Sequence, residues 1–194
     1  MMQRSILLAV SWGTLAVATI SAVDLPAQKP PIDLPTQKLP VFGGSGGAAF
    51  SRDCGAGRVM TGLRGREGLL VDAVGLLCSP VNSDGTLGSE TTVGTLAGGG
   101  NSGARVSRCP RGQVVIGARI YHGFFVDGIS MVCRAWNAGA RSFGPANNPA
   151  SELLGQARGD NEFSICSSSR QPASGIRGRA GAVVDAIGFI CDEP

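Results

Sequence analysis

CGAGRVMTGLRGREGLLVDAVGLLC at Cys54–Cys78, CPRGQVVIGARIYHGFFVDGISMVC at Cys109–Cys133 and CSSSRQPASGIRGRAGAVVDAIGFIC at Cys166–Cys191 are three versions of one segment. Gly62, Gly117 and Gly175 align, as do Arg64, Arg119 and Arg177, and Asp72, Asp127 and Asp185. Self-similarity at a period of about 55 residues marks a unit repeated within one fold, and that length allows four strands per unit.

Outward from the repeats, the chain begins with a short basic stretch, Met1–Arg4, then an apolar run, Ser5–Ile20, then small residues at Ser21 and Ala22. Residues 1–22 read as a secretory signal, with an uncleaved anchor as the alternative; after cleavage no membrane span is expected. DLPAQKPPI at Asp24–Ile32 is nearly repeated by DLPTQKLPV at Asp33–Val41. Prolines at that density favour extended polyproline II geometry, so residues 23–41 are expected to form a tether and residues 42–194 the domain.

The formal charge of +3 is too small to point to a nucleic-acid partner. Both lysines, Lys29 and Lys38, precede Phe42, so every cation of the expected domain is an arginine. The repeated Arg64, Arg119 and Arg177 read as internal pairing partners or solvated groups, with contact to an acidic glycan or partner as the alternative.

Glycine-rich breaks at short intervals and short β-branched apolar runs indicate an all-β chain. In the second copy Val114, Ile116 and Ala118 alternate with Gln113, Val115 and Gly117 ahead of His122-Gly123. A hairpin turning there sets Cys133 opposite Gly112, three residues from Cys109. Turns at Glu67-Gly68 and Ala180-Gly181 set Cys78 opposite Gly57 and Cys191 opposite Arg170. Disulfides Cys54–Cys78, Cys109–Cys133 and Cys166–Cys191 are thus expected to close the bases of their own hairpins; the symmetric rival joins neighbouring copies. Such bonds belong to an oxidising compartment, which agrees with secretion to an extracellular or periplasmic space. Val74 and Leu76, Ile129 and Met131, and Ile187 and Phe189 share one face of the returning strands, and three such faces turned to a common axis would form a prism.

RGREGLLVDAVGLLC and RGRAGAVVDAIGFIC, with the opening Phe42-Gly43-Gly44-Ser45-Gly46-Gly47, resemble the jacalin-related lectins. The cysteine-framed three-fold pattern is also similar to the vitelline membrane outer layer proteins. The resemblance implies the β-prism I fold, three four-stranded Greek-key sheets about a pseudo-three-fold axis. In the lectins a Gly-x-x-x-Asp loop holds a monosaccharide and a glycine-rich loop closes the other side. Carried over, the carbohydrate-binding positions are Gly68, Leu69, Leu70 and Asp72; Gly123, Phe124, Phe125 and Asp127; and Gly181, Ala182, Val183 and Asp185. The resemblance joins Gly43–Gly47, Gly46 and Gly47 included, to the Asp185 loop. By symmetry Gly98–Gly100 serves Asp72 and Gly155–Gly159 serves Asp127. An ionised Asp accepts several hydrogen bonds and glycine lets backbone amides approach a ligand, so the chemistry suits glycans.

On strand parity each Asp ends the core-facing row, where it could equally fix its own turn. The second loop, beside Tyr121 and His122, has aromatics that the third lacks, so Asp127 is the leading site. Catalysis is not expected. His122 is the only histidine and reads as an exposed turn residue, the paired cysteines leave no thiolate for a nucleophile or a metal, and no phosphate loop follows Gly55-Ala56-Gly57. A carboxylate pair such as Asp53 and Asp72 is what glycoside hydrolysis would need. No cofactor or metal is called for. Two readings of function remain: a secreted glycan-binding protein, or a structural or protein-binding extracellular component with the same fold.

Overall fold

The computed structural model describes residues 34–145 and 150–194, and it contains no helix among them. The expected signal, residues 1–22, and most of the expected tether lie outside the described residues. In chain order the strands are β1 (Gln37–Lys38), β2 (Phe42–Gly43), β3 (Ala48–Asp53), β4 (Arg58–Glu67), β5 (Val71–Pro80), β6 (Thr91–Gly98) and β7 (Gly103–Arg108). They continue with β8 (Gln113–His122), β9 (Val126–Asn137), β10 (Ser142–Phe143), β11 (Leu154–Gly155), β12 (Asp160–Ile165), β13 (Ala173–Ala180) and β14 (Val184–Cys191).

Three antiparallel sheets result. The first has the order β6-β5-β4-β7 and the second β10-β9-β8-β12, with β11 also on β9. The third, β1-β14-β13-β3 with β2 also on β14, joins the start of the domain to its end. Two short strands share one edge position in the second and third sheets, so each sheet has the same four-position Greek-key plan built on a central hairpin. Met60, Leu63, Val74 and Leu76, Ile120, Ile129 and Met131, and Ile176, Ile187 and Phe189 meet in one buried core. The bulky faces of the returning strands do point inward.

The packed domain begins before Phe42. Gln37 and Lys38 pair with Cys191 and Ile190 of β14, Leu39 is buried, and its amide donates to Phe189 O at 2.9 Å. Pro35 and Pro40 flank this edge segment rather than interrupt it, as edge strands permit. Proline density therefore misreads the second DLP repeat as tether.

Hairpin registers differ from the expected ones by three residues. Cys133 faces Val115, Cys78 faces Met60 and Cys191 faces Ala173. The turns are three-residue loops, Gly68–Leu69–Leu70, Gly123–Phe124–Phe125 and Gly181–Ala182–Val183, later in the chain than the expected dipeptides. Each hairpin also contains two β-bulges. One falls at the aligned Gly62, Gly117 and Gly175. It breaks the simple alternation: Val115 and Ala118 face the main core, whereas Val114 and Ile116 join Val59 in a second cluster on the other face. These glycines let the outer strand approach, since a Cβ on Gly117 would lie 1.9 Å from Ser164 O.

The disulfides pair Cys54–Cys78, Cys109–Cys133 and Cys166–Cys191, with Cα separations of 5.7, 5.6 and 5.8 Å. They do not close the bases of hairpins. Cys109 continues β7 of the first sheet, its amide donating to Thr61 O, while Cys133 lies on β9 of the second. Cys54 likewise continues β3 of the third sheet and Cys166 β12 of the second, their amides donating to Ser174 O and Ile116 O. Each bond staples one sheet to the next, and together they run round the prism.

Candidate functional site

The second bulge of every hairpin is the repeated aspartate. Arg66 pairs with Ala73 and Glu67 with Val71, which leaves Asp72 as the extra residue. Tyr121–Gly128 and His122–Val126 leave Asp127, and Arg179–Ala186 and Ala180–Val184 leave Asp185. A bulge re-aims its side chain. The carboxylates therefore leave the core-facing row that strand parity assigns them and turn toward the glycine-rich segments.

Those segments do meet the aspartates. A Cβ on Gly46 would lie 2.3 Å from Asp185 Oδ1, and one on Gly47 2.4 Å from Asp185 Oδ2. On Gly100 it would lie 2.5 Å from the Asp72 Cβ, and on Gly159 3.4 Å from Asp127 Oδ2. At Gly46, Gly47 and Gly100 only glycine leaves room for backbone so close to a carboxylate, whereas at Gly159 the close neighbour is His122 O, 2.4 Å from an added Cβ.

A third component comes from a different hairpin in each case. Beside the Gly155–Gly159 loop lies the first apex: Gly155 N donates to Glu67 Oε2 at 2.5 Å and Gln156 Nε2 to Gly68 O at 3.4 Å. Beside Gly43–Gly47 lies the second apex, a Cβ on Gly44 falling 2.2 Å from Phe124 O. Beside Gly98–Gly100 lies the third, with Gly181 O 3.3 Å from a Cβ on Gly99. The three loop clusters at this end of the prism are thus cyclically linked: each glycine loop sits between its own Asp and a neighbouring apex.

The clusters differ in openness. Asp72 is buried and its Oδ2 accepts from the Ser102 hydroxyl. Asp185 is 5% exposed, and its Oδ2 is buried without a partner among the described residues. Asp127 is half-buried and accepts no hydrogen bond on its carboxylate among the described residues. Around it the amides of Phe124 and Phe125 also donate to no acceptor among the described residues, and Phe124 is 87% exposed. In the first and third clusters an arginine holds the glycine loop by its carbonyls. Arg66 Nη1 donates to Gly100 O at 2.8 Å, and Arg179 donates to Gly46 O and Gly47 O at 2.7 and 2.6 Å. The second copy has Tyr121 at this position and leaves its glycine loop without that clamp. Sequence reasoning passed over these arginines although Gly-x-Arg-x-Arg recurs in the first and third copies. It also passed over Ser102, for which the repeat holds no signal.

Two candidate catalytic groups are placed differently from expectation. His122 is not an exposed turn residue: it ends β8, stacks on Phe42 with ring centroids 5.8 Å apart, and its Nε2 is buried. Asp53 and Asp72 stand apart, because Asp53 adjoins Cys54 at the disulfide end of β5 and Asp72 lies six residues along from Cys78. That is roughly 20 Å of strand, far beyond the spacing of a glycosidase pair. Among the described residues no cluster of acidic, His or Cys side chains could hold a metal ion.

Comparison with solved structures matches this architecture. A mannose-binding jacalin-related lectin from Ananas comosus superposes with a TM-score of 0.56 at 20% identity, over 82% of this chain and 99% of that one. The chain has the β-prism fold of the jacalin-related lectins. Calystegia sepium agglutinin gives a TM-score of 0.56 at 20% identity over 84% and 99% of the two chains. The Malaysian banana lectin gives 0.55 at 16% identity over 82% and 100%. No family model matches the sequence, and no curated protein matches it.

Proposed function

We propose that this protein is a secreted, non-catalytic carbohydrate-binding protein whose working site is the Asp127 loop, with Gly123, Phe124 and Phe125 on one side and Gly155–Gly159 on the other. The observation that carries the reading is the inequality of three equivalent carboxylates: Asp127 alone combines partial exposure with oxygens free of protein donors among the described residues. An ionised carboxylate with two uncommitted loop amides beside it suits adjacent sugar hydroxyls, which both donate and accept. Phe124, Phe125 and the neighbouring Leu69, 66% exposed, offer apolar surface of the kind sugar sites place beside their polar groups. Support from outside the chain is the mannose binding named for the Ananas comosus lectin and the complex of the similar Calsepa lectin with a biantennary N-glycan. Three disulfides and the signal-like residues 1–22 support export.

Burial of Asp72 and Asp185 favours a second reading for those loops, as supports of a structural or protein-binding surface. A glycan array followed by calorimetry separates the two. Sugar-dependent binding abolished by Asp127→Ala, with an unchanged melting temperature, is expected; an array without a single binder rejects the lectin reading.

A further inference from the structure

The outward face of the second sheet carries a feature that its two counterparts lack. Arg119 stands opposite Ser130 on β9 and Phe163 on β12, with its guanidinium carbon 4.5 Å from the Phe163 ring centroid. Arg134, further along β9, lies 5.9 Å from the Phe143 ring centroid, donates to Gly144 O at 3.2 Å, and keeps a buried Nε without a partner. Neither guanidinium has a carboxylate within 4 Å among the described residues. Between them runs a cleft of about 570 Å³ walled by Ile116, Val132, Phe163 and Ile165, with Tyr121 and Ser130 at its polar edge.

The other sheets use the equivalent space internally. Arg64 donates to Gly94 O at 2.6 Å, and Leu96 packs over the opposing Gly75. In the third sheet Pro40 and Val41 cover Gly188, which faces Arg177. Replacing that glycine by Ser130 and leaving Arg119 on a phenylalanine face keeps the second cleft open and its cations unneutralised.

We infer that this cleft binds a monoanion with an apolar body, a medium-chain aliphatic or aromatic carboxylate. The volume falls within the range of small-molecule pockets, with mostly apolar walls and a few placed polar groups. Planar guanidinium groups pair with carboxylates in bidentate fashion, and stacking on the two phenylalanines holds their planes. A compact polyanion would leave the apolar walls wet. A neutral sugar would find no carboxylate acceptor among the lining residues.

The test uses the full chain and the fluorescent sulfonate 1-anilinonaphthalene-8-sulfonate, with octanoate and octanol as competitors. One saturable site is expected, displaced by octanoate and much less by octanol. Arg119→Gln and Arg134→Gln should each weaken it by about tenfold or more, the loss of a charge-assisted contact. Asp127→Ala should leave it unchanged, so failure of the lectin reading and failure of this one are distinguishable. No saturable site, equal displacement by octanol, or unchanged affinity in both arginine variants overturns the inference. Thermal melts accompany each titration. If a Gln variant loses its cooperative melt, Arg119→Lys, which keeps the charge without the planar fork, replaces it and should still weaken binding at least about threefold.

Discussion

Arg179 reaches across from β13 to hold Gly47 by its carbonyl at 2.6 Å, and the same guanidinium takes Gly46 O at 2.7 Å. One side chain of the last hairpin therefore fixes the loop that covers Asp185. Arg179→Ala should cost about 1 kcal/mol, below the usual value for charged hydrogen bonds because the contact is exposed. Arg66→Ala, which breaks the single bond to Gly100 O, should cost less. Urea unfolding of both variants checks the order, and a larger loss at Arg66 contradicts it.

Asp72 and Asp127 occupy equivalent bulges, yet their replacement should have different effects. Asp72→Ala removes the acceptor of the Ser102 hydroxyl and leaves a space under Gly100, and about 1–3 kcal/mol of stability should go with it. Asp127→Ala removes no protein hydrogen bond among the described residues and should stay within about 0.5 kcal/mol of the parent. Differential scanning calorimetry measures both, and equal losses would mean that the two loops are built alike after all.

Gly117 gives a sharper contrast. Its φ is +141° and a Cβ would fall 1.9 Å from a backbone oxygen on β12, so Gly117→Ala must push two paired strands apart. A loss of about 2 kcal/mol or more is expected from strain and broken pairing. Gly103→Ala has open space around the added methyl group and no left-handed backbone, and should be near neutral. Chemical denaturation of the pair decides, with comparable values for both arguing against a steric role for the repeated glycine.

The alternation of Val74 with Leu76 and of Ile187 with Phe189 names the core face, because strand parity holds between bulges. It fails at them. Nothing in the spacing of Asp127 says that it is an extra residue opposite the Tyr121–His122 step, so the carboxylate reads as core-facing until the pairing is known. The three-residue register difference has the same origin, since Gly123–Phe124–Phe125 and a dipeptide turn are equally compatible with the apolar pattern. Links between hairpins are least legible: that the Gly68 apex flanks the Asp127 cluster depends on how the three sheets curl together, which no local pattern encodes. Arg179 was within reach, because its recurrence as Arg66 and its absence at Tyr121 are visible in the repeats.

The bond between Cys109 and Cys133 joins the outer strand of one sheet to the central strand of the next, and its loss should be felt as a loosening between sheets. Replacing both cysteines by serine avoids a lone thiol. For a closed loop of this length the chain-entropy account gives about 3 kcal/mol, a substantial part of the 5–15 kcal/mol or so that holds a domain folded. The doubly substituted protein should remain folded with a lower urea midpoint. Cys133 is wholly buried and Cys109 9% exposed, so in the intact protein reductant should reach the bond only through opening. Alkylation followed by mass measurement should therefore find no free thiol after brief treatment with reductant in native buffer, and two or more once the treatment is repeated in urea. Rapid reduction of this bond in native buffer would show that the junction between the first and second sheets opens readily, against the packing described for it.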